Sequence, residues 1–299
     1  MLKKKGRLVA IICCVIFFLI LSVCFSICKY MLKQHNSFVT GRNDAAYKTS
    51  IDHTHQKIED AQAQKSQFLF TVIMPTYNRR FCIEKAINSL LNQTNQNFQL
   101  IIIDDGSTDN TEELIKVKYS AYLKSKKFIY KYIKHKGVCN ARNTALKLAK
   151  TDWIAYLDTD NEIFPDFIDT FQKAIAEHPK YKCFYAKFVA DGNIEGQAFN
   201  YSDLVKLNFI DMGVFVHRRN LINKYGMFDV KLKRATDWDL ILRYTKKDPP
   251  YFIDKVVLKY NTDDSFKRIS NSENKFINHS IIRCKLYINN LKEKFFSVN

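Results

Sequence analysis

The chain has 299 residues, 46% of them hydrophobic and 26% charged, with eight glycines and five prolines. That excludes a disordered or fibrous protein and leaves room for one large α/β domain or two small ones. The formal charge of +17 asks for an anionic neighbour such as nucleic acid, a lipid surface or a phosphorylated substrate; with no zinc-finger spacing and no RNA-binding aromatic signature, no nucleic-acid partner is expected.

Residues 8–28 carry no charge and are long enough to cross a bilayer as one helix, preceded by Lys3, Lys4, Lys5 and Arg7. No small-x-small cleavage site follows. Leu21-Ser22-Val23-Cys24 has a valine where a lipoprotein signal wants a small residue, so residues 1–29 read as an uncleaved membrane anchor. Lys29, Lys33, Arg42 and Lys48 flank its far end and weaken the positive-inside signal. Residues 30–66 are polar without a sustained apolar period and read as a stalk. The folded domain is expected over residues 67–299. Cys13, Cys14, Cys24 and Cys28 lie in the apolar run. Cys82, Cys139, Cys183 and Cys284 are scattered, with no CxxC pair and no histidine at ligand spacing, which argues for small buried residues rather than structural zinc.

Within the domain the pattern predicts a strand over 70–74 and a helix over 81–93, with Ala86, Ile87, Leu90 and Leu91 on one side. A buried strand follows over 98–103, then a helix over 111–124 capped by Ser107, Thr108 or Asp109. A strand over 128–133, a helix over 140–149, a central strand over 153–157 and a helix over 164–177 complete the regular part. Apolar segments at 183–189, 209–216 and 251–258 are less regular, and a helix is expected over 238–244. This is an α/β pattern, Rossmann-like, with a mostly parallel sheet and flanking helices, followed by a more variable half. At the C-terminus Ile277, Ile281, Cys284, Ile288, Leu291 and Phe295 recur at helical spacing between basic residues. Packing on the domain and lying on an anionic membrane both fit that stripe.

Polar chemistry collects where the predicted strands stop, which is the ligand-binding edge of a parallel sheet. Asp104-Asp105-Gly106-Ser107 ends one of them. A carboxylate there can accept the N3–H of a uracil while glycine lets the backbone approach a ribose; alternatively Asp and Ser simply cap a helix. Asp158-Thr159-Asp160 ends the central strand. Its two carboxylates project to one side and, with diphosphate oxygens and water, complete the octahedral shell of Mg²⁺ or Mn²⁺. The alternative is a polar turn with Asp160 or Asn161 as a cap.

The ordered set V-I-M-P-T-Y-N-R, I-I-I-D-D-G-S-T-D, G-V-C-N-A-R-N and Y-L-D-T-D resembles family 2 glycosyltransferases of the GT-A fold, across most of residues 67–244. The resemblance implies a nucleotide-sugar donor, most often a UDP-sugar, bound by Pro75, Thr76 and Tyr77, with Asp105 and Asp104 reading the base. It implies Arg142 near the donor phosphates or sugar, Asp158 near the ribose or sugar, and Asp160, with Asp158, on the metal. In Ala235-Thr236-Asp237-Trp238-Asp239 many relatives carry Glu-Asp; here Thr236 takes the Glu place and Asp237 keeps that of the general base, with Asp239 as its alternative. Asp237 could equally cap the helix, Trp238 could wall an acceptor sugar or lie in the core, and His217 reads as structural. The expected function is metal-dependent inverting transfer to a glycan or lipid-linked acceptor in surface polysaccharide or lipopolysaccharide synthesis. The expected location is the cytoplasmic face of a bacterial inner membrane, or the Golgi lumen in a eukaryote. A catalytically degenerate nucleotide-sugar-binding scaffold is the alternative, and a metal nuclease finds no use for the first two motifs.

Overall fold

The computed structural model describes residues 68–261. The anchor, the stalk and the C-terminal stripe expected from the sequence lie outside the described residues.

The described residues open on β1 (Phe70–Thr76), whose apolar run is buried at all but one position, as a strand covered on both faces must be. Helix α1 (Ile83–Leu91) buries Ile83, Ala86, Ile87 and Leu90, the three- and four-residue spacing of one helical face. After β2 (Phe98–Asp104), the single helix expected over 111–124 is two, α2 (Thr111–Lys118) and α3 (Ser120–Lys124). Between them Tyr119 turns out of helical geometry (φ −107°, ψ 22°) and buries its ring 5.8 Å from that of Phe128. That packing outweighs the continuous helical propensity. Then follow β3 (Phe128–Tyr132), α4 (Val138–Leu148) and β4 (Trp153–Tyr156). The predicted helix over 164–177 begins later, as α5 (Phe167–Glu177), because residues ahead of it form a short strand, β5 (Glu162–Ile163).

The second half holds β6 (Cys183–Ala190), β7 (Asn193–Glu195), α6 (Tyr201–Lys206), a 3₁₀ turn (Met212–Val214), β8 (Phe215–Arg218), α7 (Leu221–Tyr225), α8 (Thr236–Thr245) and β9 (Tyr251–Tyr260). The sheet order is β3-β2-β1-β4-β8-β6-β9-β5, with β7 on β6. The sheet is mixed rather than mostly parallel. β3, β2, β1 and β4 pair in parallel, as does β6 with β9. The pairings of β4 with β8, β6 with β8, β6 with β7 and β5 with β9 are antiparallel. Hydropathy reveals that a segment is extended and buried but not which way its neighbour runs.

Alternate residues of each central strand feed two cores. Phe70, Val72, Met74, Leu100 and Ile102 pack with α1 and α5 on one face. Ile73, Ile101, Ile103, Ile154 and Tyr156 pack with α4 and α8 on the other. His217 belongs to the second layer. Its Nδ1 lies 3.0 Å from the Arg218 carbonyl and its Nε2 2.9 Å from the Tyr156 hydroxyl, so Nδ1–H donates and Nε2 accepts. Burial pushes its pKa down to about 4, and the ring is a neutral structural element. Trp238 is fully buried and donates from Nε1 to the Leu204 carbonyl at 2.7 Å, which makes it a core residue and not a wall for an acceptor.

Candidate active site

The C-terminal ends of β1, β2 and β4 bring the sequence motifs together. Thr76 at the end of β1 is in register with Asp104 at the end of β2, and Pro75 with Ile103. The loops beyond are tied to each other: the Asn78 N–H donates to Ser107 Oγ at 2.8 Å, the Thr108 N–H to Asn78 Oδ1 at 2.7 Å, and the Arg80 N–H to Asp109 Oδ2 at 2.9 Å. Asp109 also accepts from the Thr111 N–H at 3.2 Å, but the N-cap of α2 is Asn110, in left-handed geometry and without a side-chain cap, and not Ser107, Thr108 or Asp109 as expected. Pro75 is half-buried and Thr76 buried, with its Oγ1 lacking any partner among the described residues. Tyr77 by contrast is 43% exposed.

Asp104 and Asp105 are both buried and both engaged. Asp104 accepts from the Ser107 N–H and from the Tyr130 hydroxyl, each at 2.7 Å. Asp105 accepts from the Lys136 N–H at 2.9 Å and the Gly137 N–H at 2.7 Å, and so pins the loop between β3 and α4. His135 in that loop stacks on Tyr77, with ring centroids 4.1 Å apart and planes 22° apart. Its Nδ1 lies 2.9 Å from both the Asp105 carbonyl and Asp105 Oδ2.

Arg142 is buried on α4 rather than spread over a helix surface. Its Nη2 reaches both oxygens of Asp158, at 2.8 and 3.1 Å, and its guanidinium lies 5.4 Å from the Phe228 ring. Burial opposes its charge, but Asp158 and then Asp237 outweigh that and raise its pKa. Its Nε has no partner among the described residues, a second orphaned buried donor near the donor-side motifs. Two residues on, Asp160 is half-buried, and its charge helps burial push the neighbouring Cys82 thiol up to about 11.

Asp237 stands in the first turn of α8 but does not cap it; the cap is Ala235, held in left-handed geometry at φ 54°. Asp237 Oδ2 instead accepts from Asn208 Nδ2 at 3.2 Å. Asp239, the alternative base, is buried and paired to Arg243 at 2.9 Å, which fits it for holding the 225–227 turn rather than for proton transfer. Thr236 faces inward beside the Cys139 thiol. One acidic group escaped the sequence reading. Asp211 is half-buried, its Oδ1 accepts from the Gly213 N–H at 2.8 Å, and its pKa is pushed up to about 7 by burial, then by Asp158 and Asp237. Asn208, Asp211 and His135 lie in no motif, and only the fold brings them to the site.

Among the described residues no three His, Cys, Asp or Glu side chains converge to hold a metal by themselves. Asp158 and Asp160 supply hard oxygens at one strand end, a donor set suited to Mg²⁺ or Mn²⁺ when diphosphate and water fill the rest of the shell.

A sheet that carries these motifs at its strand ends defines a nucleotide-binding α/β enzyme fold. The family model for glycosyl transferase family 2 matches residues 71–230, and the chain belongs to that family. It is similar to the chondroitin synthase of Escherichia coli, 26% identical over 241 residues, covering 76% of this chain. The chain spans only 34% of that relative's length, and 22% and 34% of two Rickettsia glycosyltransferases. In fold it resembles S. aureus TarS residues 1–349, solved with UDP-GlcNAc, at a TM-score of 0.60 and 21% identity, covering 71% of this chain and 64% of that one. It also resembles the Pyrobaculum calidifontis mannosyltransferase PcManGT, solved with GDP-Man and Mn²⁺, at a TM-score of 0.52 and 17% identity, covering 67% and 60%. The mixed sheet with flanking helices is thus of the GT-A type.

Proposed function

We infer that the protein is a metal-dependent inverting glycosyltransferase that moves a sugar from a nucleotide-sugar, a UDP-sugar in the first instance, to a glycan or lipid-linked acceptor in surface polysaccharide synthesis. One observation carries the reading furthest: Arg142, paired to Asp158 at 2.8 Å, is close enough to Asp237 for that carboxylate also to raise its pKa, and Asp158 and Asp237 both raise that of Asp211. That closeness supports a reading in which Asp158 serves the donor and Asp237 the acceptor of one reaction.

Tyr77 offers an exposed ring for a base to stack on, beside Pro75 and Thr76, while Asp105 presents its carbonyl and carboxylate edge to a donor N–H on that base. Asp104, which accepts from the Ser107 N–H, acts by fixing the turn that holds Asp105; the Asp105 oxygens, each already taking one backbone N–H, keep lone pairs for the base. Arg142 sets the orientation of Asp158 and contributes positive charge beside the diphosphate. Asp160 and Asp158 would hold a divalent cation, whose chemistry when bound is to offset charge building on the leaving diphosphate. Asp237 is half-buried in the first turn of α8, where the helix dipole favours its anion, and Asn208 occupies one of its oxygens. The other oxygen is left to take the proton of the attacking acceptor hydroxyl. One in-line displacement inverts the anomeric centre without a covalent intermediate on the protein. The sequence 8–28 supports a single-pass anchor, with the domain on the side of the membrane where nucleotide sugars are made.

The test is calorimetric titration of UDP into the full-length chain in detergent, with and without Mn²⁺, beside Asp160→Ala. Metal-dependent binding that Asp160→Ala loses is the expected outcome. With a donor in hand, Asp237→Asn should lower turnover at least roughly a hundredfold with donor binding kept. Binding indifferent to Mn²⁺ and to Asp160 would remove the metal from this reading, and near-normal turnover by Asp237→Asn would remove the base.

A further inference from the structure

The two features read above as the nucleobase seat, the Tyr77 ring and the acceptor edge of Asp105, are both engaged by one side chain. His135 lies face to face with Tyr77 at a centroid distance of 4.1 Å, which leaves no room for a base between the rings. Its Nδ1 is 2.9 Å from the Asp105 carbonyl oxygen and 2.9 Å from Asp105 Oδ2. Both neighbours are acceptors, so this nitrogen carries the proton and donates to them. A flat ring that stacks on Tyr77 and gives an N–H to Asp105 is the pattern a uracil would present through N3.

We propose that His135 is an internal stand-in for the nucleobase, which fills the base seat in the empty enzyme and must rotate away when the donor binds. The proposal rests on the donor-site reading above and adds a residue that sets donor affinity. The backbone around His135 is tightly placed: the Lys136 and Gly137 N–H groups are held by Asp105, and a Cβ on Gly106 would come within 2.9 Å of the His135 nitrogen. The side chain is not so confined, being 54% exposed. The exchange is therefore a side-chain rotation over a fixed loop. Asp105 keeps its two backbone partners throughout, so the seat is not lost when the imidazole leaves it. An internal ligand that occupies the seat most of the time lowers apparent affinity by the fraction of molecules in which the seat is open.

The test uses the full-length chain in detergent with UDP as probe. His135→Ala should bind UDP about tenfold more tightly than the parent, the combined scale of one ring stack and one hydrogen bond. In a Tyr77→Ala background that gain should shrink, because the stacking partner of both rings is gone and only the hydrogen bond to Asp105 is left to compete for. In proton spectra of the parent, the His135 ring signals, assigned by their loss in His135→Ala, should lie upfield under the Tyr77 ring current and move downfield on saturation with UDP. Equal or weaker binding by a His135→Ala chain that melts like the parent would overturn the proposal, as would His135 signals that do not respond to UDP. Failure of parent and variant alike to bind UDP or GDP would overturn the donor-site reading together with it.

Discussion

Asp211 ionises beside two carboxylates of its own sign, and that has a measurable consequence. Burial first, then Asp158 and Asp237, push its pKa from the ordinary 3.8 up to about 7 in the folded chain. The unfolded chain loses this proton near 3.8, so across the window up to about 7 the native state holds a proton the unfolded state has released. Asp211 therefore costs stability progressively as pH rises through that window. Asp211→Asn keeps the Oδ1 that accepts from Gly213 and removes the charge. In denaturant melts it should be more stable than the parent above pH 7, with the advantage gone under acid conditions; a difference independent of pH would refute the argument. The motif residues were legible from the sequence because strand ends with Asp, Gly and Ser are recognisable in one dimension. Asp211 was not, because its character comes from neighbours more than twenty residues away on either side. Asp104 and Asp105 were found by sequence, yet which oxygens they spend on Ser107, Tyr130, Lys136 and Gly137 is a matter of packing.

Two loops meet at Gly106, where the turn after β2 runs against the segment between β3 and α4. Gly106 has φ +87°, and an added Cβ would stand 2.9 Å from the His135 backbone nitrogen. Backbone cannot swing aside as a side-chain tip would. Gly106→Ala should therefore cost about 2 kcal/mol, from the left-handed conformation and the forced separation of the loops. It should also weaken UDP binding, since the Asp105 anchor to Lys136 and Gly137 depends on that approach. Unchanged melting and unchanged binding would show the loops to be more compliant than their contacts indicate. Helix and strand positions in the first half followed from apolar periodicity, whereas the break at Tyr119 and the strand Glu162–Ile163 did not. Tyr119 leaves the helix for a place beside Phe128, and a two-residue strand is created by its partner, β9, about a hundred residues later.

Charge is distributed unevenly over the whole molecule. No acidic residue occurs between Glu113 and Asp152, and this stretch includes β3 with exposed Lys131, followed by exposed Lys134 and Lys136 in the loop pinned by Asp105. Not every lysine there is solvated: Lys127 lies 3.7 Å from the centre of the Phe98 ring, and burial lowers its pKa to about 8. Exposed Lys134 and Lys136 lie in the same loop as His135, beside the proposed base seat, where an anionic donor would feel them. UDP affinity should consequently fall severalfold as added salt shortens the screening length from about 30 Å to about 10 Å. An affinity insensitive to salt would mean that the excess charge serves something other than the donor.

The sequence by itself determined the α/β class, the family, the regular first half and the acidic residues on which a transfer reaction would turn. These are local properties, written in apolar periodicity and in short motifs at strand ends. Only the tertiary structure decided that the sheet is half antiparallel, that Trp238 and Asp239 belong to the packing of α8, and that Arg142 is buried against Asp158. The same holds for Asn208 beside Asp237 and His135 against Tyr77. The reason is physical: pairing direction, burial of charge and the partner of a hydrogen bond depend on residues distant in the chain, and they exist only once the cores on the two faces of the sheet have closed.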